Sequence, residues 1–425
     1  MLRTIVVLMS VIALHAEVRV MSLGQAVELA MKQNPDIALA RLDEQKATDA
    51  VRVARDPFVP KVVVGSGLAY SSGFPLSIEG SAPSVVRADG IATVFNRPQS
   101  YRVSQARESV RAAAIDSAAR RDEVALRAAL VFLDVAQLGQ AISVARQQVA
   151  MLEQIAESTS LRVSEGRELP IESKRAALRV AQARQRTRQL EAARENAETT
   201  LAAVLGFGPE DRVSPSEQEV HVPPPAGTVE ELVQMALDSS QETRRLESAV
   251  LSQTLEVKAN RAAKLPRIDL MAQYALFARY NNYDDFFRKF QRNNGQLGIS
   301  FQFPLLAGSA AAANADRANS EIAKLRIQMN QVRNRIATDT RQAHQEVERA
   351  SGALDVARLD LDVAREQVSL LLAQSGEGRA TLGQVEEARF AEAEKWIALY
   401  DARFSADRGR LALLKLTGNL MVALR

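Results

Sequence analysis

Slid along itself by 206 residues, the sequence falls into register with its own second half, and this duplication limits the available folds more than any other feature. Val27 meets Val233, Ala30 meets Ala236, Val51 meets Val257 and Arg55 meets Arg261. Pro60-Lys61-Val62 meets Pro266-Arg267-Ile268, with Val64 on Leu270, Phe95 on Phe301, Pro98 on Pro304 and Arg111 on Arg317. Further on the shift becomes 212, so that Gly166 meets Gly378 and Gly206 meets Gly418. The second half therefore holds six extra residues, placed within its longest helix. A period of half the chain describes a duplicated domain, not a solenoid. The chain divides into a first repeat over 17–206, a proline-rich connector over 207–227 and a second repeat over 228–425.

Both repeats read alike. Ser22 caps a helix predicted to run to about Ala54, and Thr228 caps its partner, predicted to run to about Lys264. Pro60 and Pro266 end these helices and open extended segments. A second extended segment follows, then a very long helix, a glycine-containing tip and a shorter returning helix that ends at Gly206 or Gly418. In the first long helix Val124, Ala128, Val131, Val135, Leu138, Ile142, Ala145, Val149, Leu152 and Ala156 step by three and four. In the second, Ile322, Leu325, Met329, Val332 and Ile336 do the same. After a stutter at Thr340, Ala343, Val347, Ala350, Leu354, Ala357, Leu361, Ala364, Val368 and Leu371 continue it. This is coiled-coil patterning, and its alanines permit close helix approach. A helix from Gly308 to Gln374 would be on the order of 100 Å long, more than one compact domain can bury.

The extended segments, predicted as strands 61–71, 90–97, 268–278 and 295–303, alternate instead. Leu297, Ile299, Phe301 and Phe303 interleave with Gln296, Gly298, Ser300 and Gln302. Ile268, Leu270, Ala272, Tyr274 and Leu276 interleave with Asp269, Met271, Gln273 and Ala275, and Val62, Val64, Leu68 and Tyr70 with Gly65, Gly67 and Ala69. An apolar face opposite a small or polar one, over about ten residues, is the pattern of a transmembrane β-barrel strand. A half-buried strand in an ordinary sheet shows the same alternation. Four strands cannot enclose a lumen, and an open sheet would expose its edges, so closure requires several copies of the chain.

Arg3, the apolar run Thr4–Leu14 and Ala16 form a secretory signal peptide over 1–16, with cleavage expected before Glu17. The sequence has no cysteine, which removes disulfides, thiol catalysis, thiolate metal sites and a lipoprotein anchor. Its three histidines, His15, His221 and His344, are too scattered for a zinc cluster or a triad. Lys and Arg total 54 against 51 Asp and Glu, a balance that argues against a nucleic-acid partner. Gly65-Ser66-Gly67 lacks the third glycine and the following helix of a dinucleotide site. Tyr280, Tyr283, Asp284, Asp285, Phe286 and Phe287 read as an exposed loop with interfacial aromatics. No cofactor and no catalytic group is expected, and the chain does not read as an enzyme.

Certain residues carry a family resemblance. Ser22-Leu23-Gly24-Gln25-Ala26-Val27-Glu28-Leu29-Ala30 followed by Asn34-Pro35 resembles the entry motif of the TolC-like outer-membrane efflux proteins. Phe301-Gln302-Phe303-Pro304-Leu305 with Gly308, leading into an alanine-rich helix, resembles that family's strand-to-helix crossing. Arg162-Val163-Ser164-Glu165-Gly166 resembles its helix-hairpin turn. The resemblance covers the mature chain. It implies a mainly α fold with transmembrane β: a homotrimer whose 12-stranded barrel sits in outer-membrane lipid above a periplasmic α-helical coiled-coil barrel. The implied function is a passive conduit for small molecules or proteins in tripartite efflux or type I secretion. Its partners would be a periplasmic adaptor (membrane fusion) protein and an inner-membrane pump.

Two departures from the family pattern stand out. The first crossing, Phe95-Asn96-Arg97-Pro98-Gln99-Ser100-Tyr101, lacks the apolar-glycine ending, and the second tip, Ser375-Gly376-Glu377-Gly378-Arg379, carries one acid and one base. The tips at Arg162, Ser164, Glu165, Gly166 and Arg167, and at Ser375, Gly376, Glu377 and Gly378, are the expected adaptor-docking sites. Glu377 and Arg379 are the candidate gate, pairing between neighbouring copies as a latch. The alternative to a channel is a soluble periplasmic coiled-coil adaptor or scaffold, which would have no use for the amphipathic strands.

Overall fold

In the computed structural model the described residues are 18–67, 84–208, 210–216, 222–224, 226–277, 288, 291–304, 309–377 and 379–424. The leader expected at 1–16, the aromatic-acidic loop at 280–287, Gly308 and Gly378 lie outside them. In chain order the elements are β1 (Val18–Met21), α1 (Leu23–Gln33), α2 (Pro35–Arg55), β2 (Lys61–Gly67), β3 (Ser84–Phe95), α3 (Arg97–Ser164), α4 (Pro170–Leu205) and β4 (Arg212–Pro215). Then follow α5 (Val229–Ser239), α6 (Gln241–Arg261), β5 (Arg267–Phe277), β6 (Asn293–Gln302), α7 (Ala310–Gly376), α8 (Leu382–Leu416) and α9 (Leu420–Ala423). The chain forms two compact units, one from the segment up to Leu39 with Ala118–Ser240 and Arg333–Arg425, the other from Ala40–Ser117 and Gln241–Val332. Each unit draws matching segments from both repeats.

The first helix of each repeat starts where its cap was expected. Ser22 and Thr228 both close capping boxes, with Gln25 and Glu231 respectively. Neither helix runs on unbroken, however, and the single helices expected to Ala54 and Lys264 are each two. Asn34 leaves the helical region (φ −62°, ψ 129°) because Pro35 excludes the residue before it from α geometry. Ser240, its counterpart, breaks the second repeat at φ −59°, ψ 113°. At each break the returning helix of the same repeat is attached. Asn34 Nδ2 donates to the Val204 carbonyl at 2.7 Å, and Ser239 Oγ donates to the Leu416 carbonyl at 3.3 Å. Gly206 (φ 89°) and Gly418 (φ 74°) cap those returning helices in the left-handed region. A Cβ on Gly206 would meet the Gln33 carbonyl oxygen at 2.5 Å, and one on Gly418 would meet Ser239 Cβ at 2.6 Å. The duplication thus extends to the same close backbone approach.

The two long helices begin differently. Asn96 Oδ1 accepts from the Gln99 N–H at 3.1 Å, making Asn96 the cap of α3, and Pro98 sits in the first turn, where a missing N–H costs nothing. This ends the second predicted strand at Phe95 and not at residue 97; the strand also starts earlier, at Ser84, because Ser84–Asp89 pair along β5. In the second repeat Gln302 stands where Asn96 does and offers no such cap. There α7 starts later, at Ala310, and this offsets in length the six extra residues farther along the helix, so that α3 and α7 reach 68 and 67 residues.

In the first unit, every position of the expected α3 seam from Val124 to Ala156 is buried or half-buried. The helix also buries a wider face than one seam, including Phe132, Leu133 and Ala129. These pack in one core with Ala26 and Ala30 of α1, Leu201 and Leu205 of α4, Val213 of β4, and Phe404, Leu411 and Leu414 of α8. α3 also holds an apolar stretch long enough to cross a membrane by length and composition, of which 44% is buried within the protein. In α7, Val332, Ile336, Ala350, Leu354, Leu361 and Val368 are buried in the expected rhythm. Thr340 at the stutter is fully buried, and its hydroxyl donates to the Ile336 carbonyl at 2.7 Å.

One element falls inside the expected connector. β4 pairs in parallel with β1, Val18 opposite Arg212 and Met21 opposite Pro215. Strands of four residues are too short for alternation to reveal. Behind β4, the Glu198 carboxylate is only 3% exposed. It accepts from Arg194 at 2.9 Å and from Arg212 at 2.7 Å, which compensates its burial.

Candidate functional site

The second unit carries a four-stranded antiparallel sheet in the order β2-β3-β5-β6. Opposed residues in such a sheet share a face. Register sets Val62 beside Gly90, Gly90 beside Ala272, and Ala272 beside Leu297. The next rows on that face join Val64, Ala88 and Tyr274, then Ala92, Leu270 and Ile299, then Ile268 and Phe301. The apolar residues expected on one face that lie within β2, β5 and β6 therefore share it, while Phe303 falls just past the end of β6. The face is bare, with Leu297 79% and Val62 71% exposed. The opposite face carries Lys61, Arg87, Asp89, Thr93, Arg267, Asp269, Gln273, Gln296, Ser300 and Gln302, with Val63, Ile91, Met271 and Ala275 among its apolar exceptions.

That polar face is wired at one end. Asp269, almost fully buried, accepts from the Thr93 hydroxyl at 2.7 Å and from Arg267 at 2.8 Å. Arg87 and Asp89 pair at 2.6 Å farther along β3. A buried carboxylate held by a guanidinium and a hydroxyl on the same face has its charge compensated without recourse to water. Both outer strands, β2 and β6, have one edge that no described strand covers. In water such a sheet would expose both a greasy face and two templates for strand addition. In lipid, the greasy face is at home once neighbouring copies close the edges.

The tips lie in the first unit. α3 ends at Ser164, and Gly166 takes φ 73° with open space around its Cβ direction, so the backbone and not crowding requires glycine there. Gly166 N–H donates to the Val163 carbonyl at 3.0 Å and Arg167 N–H to the Arg162 carbonyl at 2.9 Å, the two bonds of a Schellman ending. Arg162 pairs with Glu168 at 3.3 Å and Arg167 with Glu165 at 3.3 Å, while the Ser164 hydroxyl returns to the Leu161 carbonyl. Pro170 then starts α4. At the second tip Ser375 and Gly376 belong to the last turn of α7, and Thr381 caps α8 through a box with Gln384. Glu377 and Arg379 pair with each other within the chain at 3.3 Å, both exposed.

Sequence reasoning named the charged and small tip residues and missed the apolar ones. Leu161, Leu169, Ile171 and Leu178 are all about half or more exposed around the first tip. The leucines flanking the charged turn were the available signal. Also missed was the inner flank, where Arg179 of α4 and Glu386 of α8 line a common groove. No spacing in the sequence brings those two together. In the second hairpin, Arg365 of α7 stacks over Trp396 of α8 at 4.4 Å, and Lys395 reaches Asp360 at 2.7 Å.

An amphipathic sheet with two open edges, borne by a chain of long coiled-coil helices, defines a membrane channel that closes only as an oligomer. The family model described as outer membrane efflux protein matches residues 26–207 and 232–419, and the chain belongs to that family. Similar solved structures agree on the fold. The CmeC outer membrane channel of Campylobacter jejuni has a TM-score of 0.75 at 14% identity, over 94% of this chain and 86% of that one. The outer membrane protein VceC of Vibrio cholerae has 0.74 at 16%, over 93% and 96%. The open state of the MtrE outer membrane channel of Neisseria gonorrhoeae has 0.73 at 16%, over 94% and 89%. Characterised protein sequences give no significant match. The chain is thus an outer-membrane efflux channel with its helical part in the periplasm, and not an enzyme. This sets aside the soluble adaptor or scaffold.

Proposed function

We propose that three copies of the chain, exported by the leader at 1–16, form the exit duct of an assembly with a periplasmic adaptor and an inner-membrane pump. The observation that carries the trimer is the four-stranded sheet with two open edges: β2 of one copy completes β6 of the next, and three copies make twelve strands. A second observation supports it. Beside its buried seam, α7 exposes Val356, Leu359, Val363 and Leu370 at helical spacing, a second seam for which a neighbouring copy is the natural cover. Cargo moves passively through the lumen, and the polar face of the sheet lines its outer end.

The tips are the docking end. Leu161, Leu169 and Ile171 offer the adaptor apolar anchors within a charged rim of Arg162, Glu165 and Arg167, with Ser164 and Gly166 shaping the turn. Ser375, Gly376 and Glu377, with Gly378 next in sequence, are the second repeat's docking residues, and Glu377 with Arg379 forms a charged ring at the entrance, exchanging its within-chain pair for one between copies when shut. Because the chain has no cysteine, single cysteines at Leu161 or Glu165 give clean cross-linking in cells. The expected result is one adaptor species caught from these positions and not from Val356→Cys. Capture of no envelope protein from either tip would contradict docking there. Charge reversal at Glu377 or Arg379 should raise the open probability in planar bilayers, with the double swap restoring it. Parental conductance in both single variants would remove these residues from the gate.

A further inference from the structure

The first hairpin and the start of α8 enclose two adjoining grooves of about 260 and 730 Å3. Glu386 and Gly383 line both from α8, facing Leu152, Ile155 and Arg179. Met151 and Phe390 add to the apolar wall of the larger one. Glu386 therefore holds a carboxylate half-withdrawn from water at the seam where the second hairpin seats against the first.

The charges around it are unevenly committed. α3 contributes Arg162, the turn contributes Glu168, and α4 contributes Glu172, Arg175 and Arg179, with Arg186 farther along. Its own helix adds Glu387 and Arg389. Arg162 is shared with Glu168 at 3.3 Å, and Arg175 is taken by Glu172 at 2.7 Å. Arg179 and Arg389 have no ion pair among the described residues, and of the cations Arg179 is the one that acts most on Glu386. The balance is incomplete: burial holds the Glu386 carboxyl above the ordinary carboxylate range, Arg179 and then Arg162 pull it back, and Glu168 pushes it up again.

We propose that Glu386 makes the seating of the second hairpin on the first proton-dependent, so that acid favours the packed arrangement and rising pH the parted one. When the hairpins part, Glu386 regains water and its ordinary affinity for a proton. The packed state binds that proton more tightly, and linkage then fixes the sign. The packed state's advantage is fully present below the ordinary carboxylate pKa and is lost as pH rises through the higher, packed-state value. The periplasm of an outer-membrane-bounded cell follows the outside pH, so such a seam would tighten the entrance under acid. This consequence rests on reading the tips as the channel's entrance; the seam's titration does not.

The test therefore reads the seam directly. In the full-length, cysteine-free chain, Glu157→Cys and Ala391→Cys place spin labels on exposed positions of α3 and α8. Lowering the pH from about 7.5 to about 5, across the range of a raised carboxyl, should collapse the distance distribution onto its short component. Glu386→Gln should give the short component at both ends of the range. Arg179→Gln, which removes the compensating cation, should move the transition to higher pH. A parent distribution that ignores pH, or a transition that survives Glu386→Gln, overturns the proposal. Conductance of the same preparations separates the two readings, because a seam that titrates while the current does not would uphold Glu386 and count against the tips as entrance.

Discussion

Arginine at Leu297 should cost the assembled channel about 2–4 kcal/mol, the expense of a cation on the lipid face near the middle of a barrel strand. Leu297 lies mid-strand in β6 and shares its face with Ala272, Gly90 and Val62, none of which could answer the charge. One residue away, Gln296 points to the opposite face, among Gln273 and Asp89. Gln296→Arg should therefore be mild, as should substitutions at Ser300. The comparison is internal, since both variants add the same side chain to adjacent residues of one strand. Heat-modifiable migration and urea titration of the outer-membrane form give the measurement. Equal costs at 296 and 297 would mean that the two faces do not separate lipid from lumen.

Alanine at Gly206 should be nearly as damaging, for a different reason. The left-handed backbone alone costs an L-residue about 1–2 kcal/mol. The added methyl must also displace the Gln33 carbonyl oxygen, which is main chain and cannot swing aside, where it would stand at 2.5 Å. At Gly418 the obstruction is Ser239 Cβ, the foot of a short side chain at the end of α5, so Gly418→Ala should pay the backbone term and somewhat less for contact. Thermal unfolding of the two variants should rank Gly206→Ala as the less stable. Gly166→Ala serves as the control, because its φ of 73° is also left-handed but nothing lies within reach of the new methyl. If all three lose the same stability, backbone conformation is the whole effect and the close approach contributes nothing.

Much of this architecture was legible because duplication and periodicity are properties of residue order. The match of Pro60 with Pro266 and of Gly206 with Gly418 marks equivalent breaks in residue order alone, and the alternation around Leu297 separates the two faces of β6. The stutter at Thr340 was visible as a break in spacing, and the structure supplies the reason it is tolerated, a buried hydroxyl bonded back to Ile336. What escaped was set by tertiary context. Ser240 interrupts a helix with no proline after it, beside the attachment of α8 at Ser239, whereas the break at Asn34 had a local signal in Pro35. Phe132 and Leu133 fall off the single seam read in α3, since that helix packs on several neighbours at once. Among the site residues, the tip glycine at 166 could be read from turn chemistry, whereas the facing of Glu386 and Arg179 depends on how two hairpins seat. Pairing of Glu377 with Arg379 was expected between copies, and within one chain the two already meet.

Closure of the sheet by neighbouring copies is tested most directly by mass measurement in detergent. Protein extracted from outer membranes should have the mass of three mature chains, each beginning at Glu17, and the same preparation should conduct in a planar bilayer. A disulfide engineered between the free edges, from Val62→Cys to a cysteine on β6, should link one chain to its neighbour and convert the denatured material to a covalent trimer. A stable monomer in mild detergent that still conducts, or a mass that is not a multiple of three chains, would contradict it.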